Sequence, residues 1–122
     1  MRTTEFRIDS AALGRGVQIV SLGGEVDAHT APRLDEELAG AIEAGARRVV
    51  VDLAGTSFVD STVLGVLLRT QRRLDGLEGR LVLVSDDPRI LRVFELTGLD
   101  RQFQIERSLT ETISNLSNGG PS

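Results

Sequence analysis

Arg48 to Leu53 reads RVVVDL, a short continuous apolar run with helix-like periodicity on both sides of it. A strand with no polar alternation is buried on both faces. Such strands sit inside parallel sheets whose neighbours are reached through crossover helices. Leu81 to Val84 (LVLV) repeats the pattern, so the centre of the chain predicts a covered, parallel sheet.

The flanking segments agree. Glu5 to Asp9 (EFRID) alternates as a half-buried strand does, and Val17 to Leu22 (VQIVSL) ends at Gly23-Gly24, so the two predict an opening hairpin. A helix is predicted from about Ala31 to Ala44, with Thr30 as cap, Pro32 in the first turn and Leu34, Leu38, Ala41 and Ile42 as the apolar stripe. Gly45 stops it. After the segment Ala54 to Asp60, a second helix runs from Ser61 or Thr62 to Leu77, with Leu64, Leu67, Leu68 and Leu74 inward. Asp87-Pro88 begins a third helix that Gly98 ends. Phe103 to Ile105 reads as a last short strand, and Leu109, Ile113 and Leu116 as a final helix. The order β-β-α-β-α-β-α-β-α predicts an α/β fold, a mixed sheet with a parallel centre and an N-terminal antiparallel hairpin.

Composition removes most active-site chemistry. There is no Cys, no Lys, one His, and four Phe are the only aromatics among 122 residues. Thiol catalysis, Lys Schiff bases, a P-loop lysine and Cys-based metal centres are excluded. A net charge of −4 argues against direct nucleic-acid binding. No apolar run is long enough to span a membrane and no signal-peptide segment opens the chain, which predicts a cytoplasmic protein. The polar, breaker-rich end SNGGPS, residues 117–122, reads as a disordered tail after one domain over residues 1–116.

Two polar stretches lie where a strand gives way to a helix: Gly24 to Pro32 (GEVDAHTAP) and Phe58 to Gly65 (FVDSTVLG). In open α/β sheets, that is where ligand and partner surfaces collect. Ser61 has two readings. It is an N-cap, accepting a bond from an orphan helix amide, or it is a phosphorylation site whose modification adds about −1.5 to −2 charge. Ser61, His29 and Asp27 or Asp60 supply the residue types of a hydrolytic triad, but no G-x-S-x-G elbow surrounds Ser61. Asp27 and Asp60 alone are too few ligands to argue for Mg²⁺. Gly23, Gly24 and Gly55 fail the phosphate-loop spacings and read as turn residues. Arg69, Arg72 and Arg73 form the outer face of the second helix, solvated or facing an acidic partner.

GEVDAHTAP together with VVVDLAGTSFVDSTVLGVLL, followed by FELTGLDRQFQI, resembles the STAS domain family, and within it the single-domain anti-sigma factor antagonists of bacteria. The resemblance runs from about Glu5 to Leu116. It implies a STAS fold with helices packed mainly on one side of the sheet. The family's Asp-Ser-Ser/Thr-Gly-Leu-Gly pattern stands here as Asp60-Ser61-Thr62-Val63-Leu64-Gly65, with Val63 in place of the usual Gly. The implied phosphoacceptor is Ser61, with Thr62 secondary. The implied partner-binding residues are Asp27, Glu25, His29, Thr30, Asp60, Thr62 and Val63.

By the same resemblance the protein is no enzyme and carries no cofactor. Its partner is an anti-sigma factor that is also a serine kinase of the histidine-kinase-like ATPase type, and ATP and Mg²⁺ belong to that kinase. A PP2C-type phosphatase resets the cycle. The unphosphorylated form frees a sigma factor by binding the kinase. The alternative is a soluble STAS subunit of a membrane transport assembly for lipid or anion, docked on an ATPase or permease.

Overall fold

The computed structural model describes residues 5–117. The element order is β1 (Arg7–Ala12), β2 (Val17–Val26), α1 (Ala31–Glu43), β3 (Arg48–Val59), α2 (Ser61–Gly76), β4 (Arg80–Val84), α3 (Pro88–Thr97), β5 (Gln104–Glu106) and α4 (Leu109–Ser117). A short 3-10 turn, Leu99–Arg101, precedes β5 and was not anticipated. The five strands form one sheet in chain order, β1 antiparallel to β2 and the rest parallel. This is the mixed sheet expected from the apolar runs.

Alternation along the central strands divides the core. Val49, Val51 and Leu53 of β3 and Leu81 and Leu83 of β4 face α1, α2 and α3 in the main cluster, with Leu34, Leu38, Leu67, Leu74, Ile90 and Phe94 supplied by those helices. Val50, Val82 and Val84 point the other way, where Leu109 and Leu116 of α4 cover them. Three helices thus lie on one face and one on the other, which explains why both central strands read as unbroken apolar runs. Phe94 and Phe103 meet edge to face, ring centroids 5.6 Å apart, and tie α3 to the approach of β5.

Several boundaries differ from the sequence expectation. β1 begins and ends later than Glu5 to Asp9. β2 does not stop at Gly23-Gly24, and β3 does not stop at Leu53 but continues through Ala54 to Val59. The pairing explains the difference. β1 reaches β2 only as far as Gly23, and β4 reaches β3 only as far as Asp52, whereas β2 and β3 stay paired to Val26↔Val59. Their last residues pair only with each other, as a two-stranded parallel ribbon.

The glycines read as turn residues are therefore strand positions. The Arg7 guanidinium occupies the place a Gly23 side chain would need, and the Leu22 carbonyl lies 3.1 Å from where a Gly55 Cβ would stand. Irregularities at Ser21/Gly23 and Gly24/Glu25 accommodate the extra residues. Ser117 closes α4; the rest of the expected tail, 118–122, lies outside the described residues, as does 1–4. Among the described residues no helix is long and apolar enough to cross a membrane.

Candidate functional site

The ribbon carries both singled-out stretches to one edge of the sheet. Because Glu25 pairs with Phe58 and Val26 with Val59, the loop after β2 and the start of α2 leave neighbouring strand ends side by side. This is the carboxyl end of the parallel strands, where the chain leaves β2 for α1 and β3 for α2, both on the same face of the sheet.

The loop Asp27 to Thr30 is held by its own side chains. Asp27 Oδ1 accepts from the backbone N–H of His29 (2.9 Å) and of Thr30 (3.3 Å). Thr30 Oγ1 accepts from the Asp27 N–H (2.9 Å) and donates to the Asp27 carbonyl (3.2 Å). Thr30 precedes α1 but makes no capping bond to that helix. Asp27 turns the chain instead, an Asx turn locked by a reciprocal threonine. Asp27 and Thr30 are half-buried, while Glu25 and His29 are exposed.

At the second stretch, Asp60 is the N-cap of α2: its backbone is extended and its Oδ1 accepts from the Val63 N–H at 3.1 Å. The Asp60 carbonyl accepts from the Leu64 N–H at 3.1 Å. The cap reading of Ser61 is thereby corrected. Ser61 is the first residue inside the helix, exposed, and its hydroxyl takes no part in the cap. Thr62 follows it, also exposed. The backbone N–H groups of these two residues are among the amides a helix leaves open at its start, and the dipole there favours negative charge.

Val63 was expected on the partner surface. Its side chain is fully buried in the main core, at 0% exposure, so it faces the sheet. The departure from the family Gly therefore adds core volume rather than bulk at the surface. A residue the sequence reading did not put on the partner surface stands three positions before the acceptor: Phe58, 47% exposed near the end of β3. Its signal was strand alternation, since Val59 is buried and Phe58 is exposed; it was hidden because the strand was expected to end at Leu53.

The competing chemistries find no support in the geometry. Asp27 and Asp60 direct their carboxylates at backbone amides, not at the His29 imidazole, and no grouping of three metal-ligating side chains occurs among the described residues. Arg69, Arg72 and Arg73 are exposed on α2, Arg73 lying 4.0 Å from Glu43 of α1. At that distance and exposure the pair contributes little. What the edge offers is a free hydroxyl at a helix start, flanked by two ordered carboxylates and one exposed aromatic ring.

Comparison with known proteins places these features in context. The STAS domain family model matches residues 10–112. The chain is 39% identical over 80 residues to the anti-sigma-B factor antagonist of Staphylococcus aureus, covering 66% of this chain and 74% of that protein. The crystal structure of an anti-sigma factor antagonist from Mycobacterium paratuberculosis matches with a TM-score of 0.83 at 28% identity, over 93% of this chain and 95% of the other. The Bacillus cell fate determinant SpoIIAA in its phosphorylated form matches with a TM-score of 0.72 at 23% identity, over 92% and 99%. At that identity the likeness is one of fold.

Proposed function

We propose a function from one premise: this chain belongs to the STAS domain family. It acts as an anti-sigma factor antagonist whose binding is switched by phosphorylation of Ser61. Unphosphorylated, it docks through the edge formed by the Asp27 loop and the start of α2 on an anti-sigma factor that is also a serine kinase, and a sigma factor is released. The kinase, holding ATP and Mg²⁺, transfers the γ-phosphoryl group to Ser61 Oγ. The hydroxyl proton is lost, and ADP and phosphoserine are the products. A PP2C-type phosphatase hydrolyses the ester and restores the binding form. The setting is the cytoplasm, where transcription is controlled.

The observation that carries this reading is the unclaimed Ser61 hydroxyl at the exposed first position of α2. The physical consequences follow from its surroundings. A phosphoserine there gains the open helix amides and dipole, so the domain tolerates it. A partner packed against the same edge meets about two added negative charges beside the Asp60 and Asp27 carboxylates. A penalty of ~3–4 kcal/mol weakens affinity by two to three orders of magnitude, enough to switch partners without refolding. Glu25, His29 and Thr62 lie on the same edge as supporting contacts, Thr30 shapes the loop, and Phe58 supplies an apolar anchor of the kind that dominates interfaces.

The test is incubation with candidate anti-sigma kinases and ATP, followed by intact mass and site mapping. The expected result is one phosphate on Ser61, absent in Ser61→Ala, with loss of kinase binding on modification. Failure to bind any such kinase, with co-purification of a transport ATPase or permease, would replace this reading by that of a transport subunit.

A further inference from the structure

The opposite end of the parallel strands carries a second feature. The register sets Arg48 at the start of β3 directly against Arg80 at the start of β4. Strand alternation puts both on the face of Val50 and Val82, the face that α4 covers. Like charges directly opposite one another destabilise a sheet unless something neutralises them. Among the described residues, the ion pairs are Arg73–Glu43 and Arg89–Asp87, so no carboxylate pairs with either arginine.

Above the pair lies a cavity of about 430 Å³ between the sheet and α4, with Gln104 and Asn115 among its lining. The nearby Arg47 is already committed, donating to the Ala46 and Ile42 carbonyls at 2.8 and 3.2 Å. Two carboxylates also line the cavity. Glu106 accepts from Gln104 Nε2 at 3.2 Å, and Glu78 lies on the turn before β4.

We propose that this cavity is a binding site for a small organic phosphate, its dianionic group seated between Arg48 and Arg80. A guanidinium pair offers two planar donor forks, the geometry that matches phosphate oxygens bidentately. Gln104 and Asn115 supply neutral donors and acceptors for a polar body. With Arg47 also lining the cavity, three guanidinium groups face the carboxylates of Glu78 and Glu106, a small positive excess that suits one phosphate group better than a polyanion. The site is separate from the Ser61 edge and does not depend on the function proposed for it.

The experiment is an NMR titration of the ¹⁵N-labelled protein with inorganic phosphate and with glycerol 3-phosphate, against sodium chloride at matched ionic strength. Saturable shifts are expected at the amides of Arg48, Arg80, Gln104 and Asn115. Arg48→Gln and Arg80→Gln are each expected to weaken binding about tenfold, the loss of one charge-assisted contact. Arg72→Gln, on the exposed face of α2, leaves it unchanged. Arg80 is exposed at the first position of its strand, so that variant keeps the test valid should Arg48→Gln fail to fold. Shifts no larger than those with chloride, undiminished binding in Arg80→Gln, or equal affinity for succinate would each overturn the proposal.

Discussion

Replacing Asp60 separates two roles that the site assigns to one carboxylate. Its Oδ1 accepts from the Val63 N–H at 3.1 Å, and Val63 is fully buried, so that amide has little access to water. Asp60→Ala removes the acceptor, and loss of such a cap costs about 0.5–2 kcal/mol. The burial of the orphaned amide places the expected loss in the upper half of that range, about 1–2 kcal/mol. The unfolding entropy for 122 residues is about 0.26 kcal/mol/K, so the melting temperature should fall by roughly 4–8 °C. Asp60→Asn keeps an oxygen in the same place and gives up only the charge at the helix start, worth about 0.3–1 kcal/mol. It should melt about 1–4 °C below the unmodified protein. Thermal denaturation by circular dichroism and urea unfolding at neutral pH measure both. An Asp60→Ala protein melting within 1 °C of the parent would refute the cap assignment. Equal damage from both variants would refute the part ascribed to the hydrogen bond and leave only the charge.

Ser61→Ala should change stability by less than about 0.5 kcal/mol in urea unfolding, because its exposed hydroxyl takes no part in the cap; a larger loss would mean that the hydroxyl has a structural partner. Thr56 is 2% exposed and its Oγ1 has no hydrogen-bond partner, so Thr56→Val should be neutral or stabilising by up to about 1 kcal/mol, checked by urea midpoint. Leu67→Ala, at 0% exposure under the sheet, should cost about 2–5 kcal/mol on the same assay. Asp87 caps α3, and hydrogen bonds first from the Arg89 side chain and then from its backbone hold its carboxyl below the usual value of 3.8. A lowered folded pKa means that its contribution is complete above 3.8 and is lost as the pH falls through the lower folded value; Asp87→Asn should flatten that acid limb of the stability curve.

The parts of this fold that were legible in the sequence are those where burial repeats with a simple period. Val49 to Val51 and Leu81 to Val84 are apolar without interruption because helices cover both faces, and the stripe Leu34, Leu38, Ala41 and Ile42 has helical spacing because one face of α1 is buried. The second half of β3 was not legible. Ala54-Gly55-Thr56-Ser57 has the composition of a loop, and its strand character comes only from pairing with β2, whose Gly23 makes room for Arg7. The cap of α2 was ambiguous for a different reason. Asp60, Ser61 and Thr62 are all capable caps, and local preference does not rank them.

Packing makes that choice. Val63, Leu64 and Leu67 all turn into the core, which fixes the phase of the helix, and Val63 is its third residue. Asp60 takes the cap by accepting from the Val63 amide three residues on, and the Leu64 amide that a Ser61 cap would serve is already bonded to the Asp60 carbonyl. The buried valine that departs from the family glycine thus helps to anchor the first turn of the helix, whose outer side carries the exposed Ser61. Its availability for chemistry performed by another protein follows from how the hydrophobic face behind it is packed.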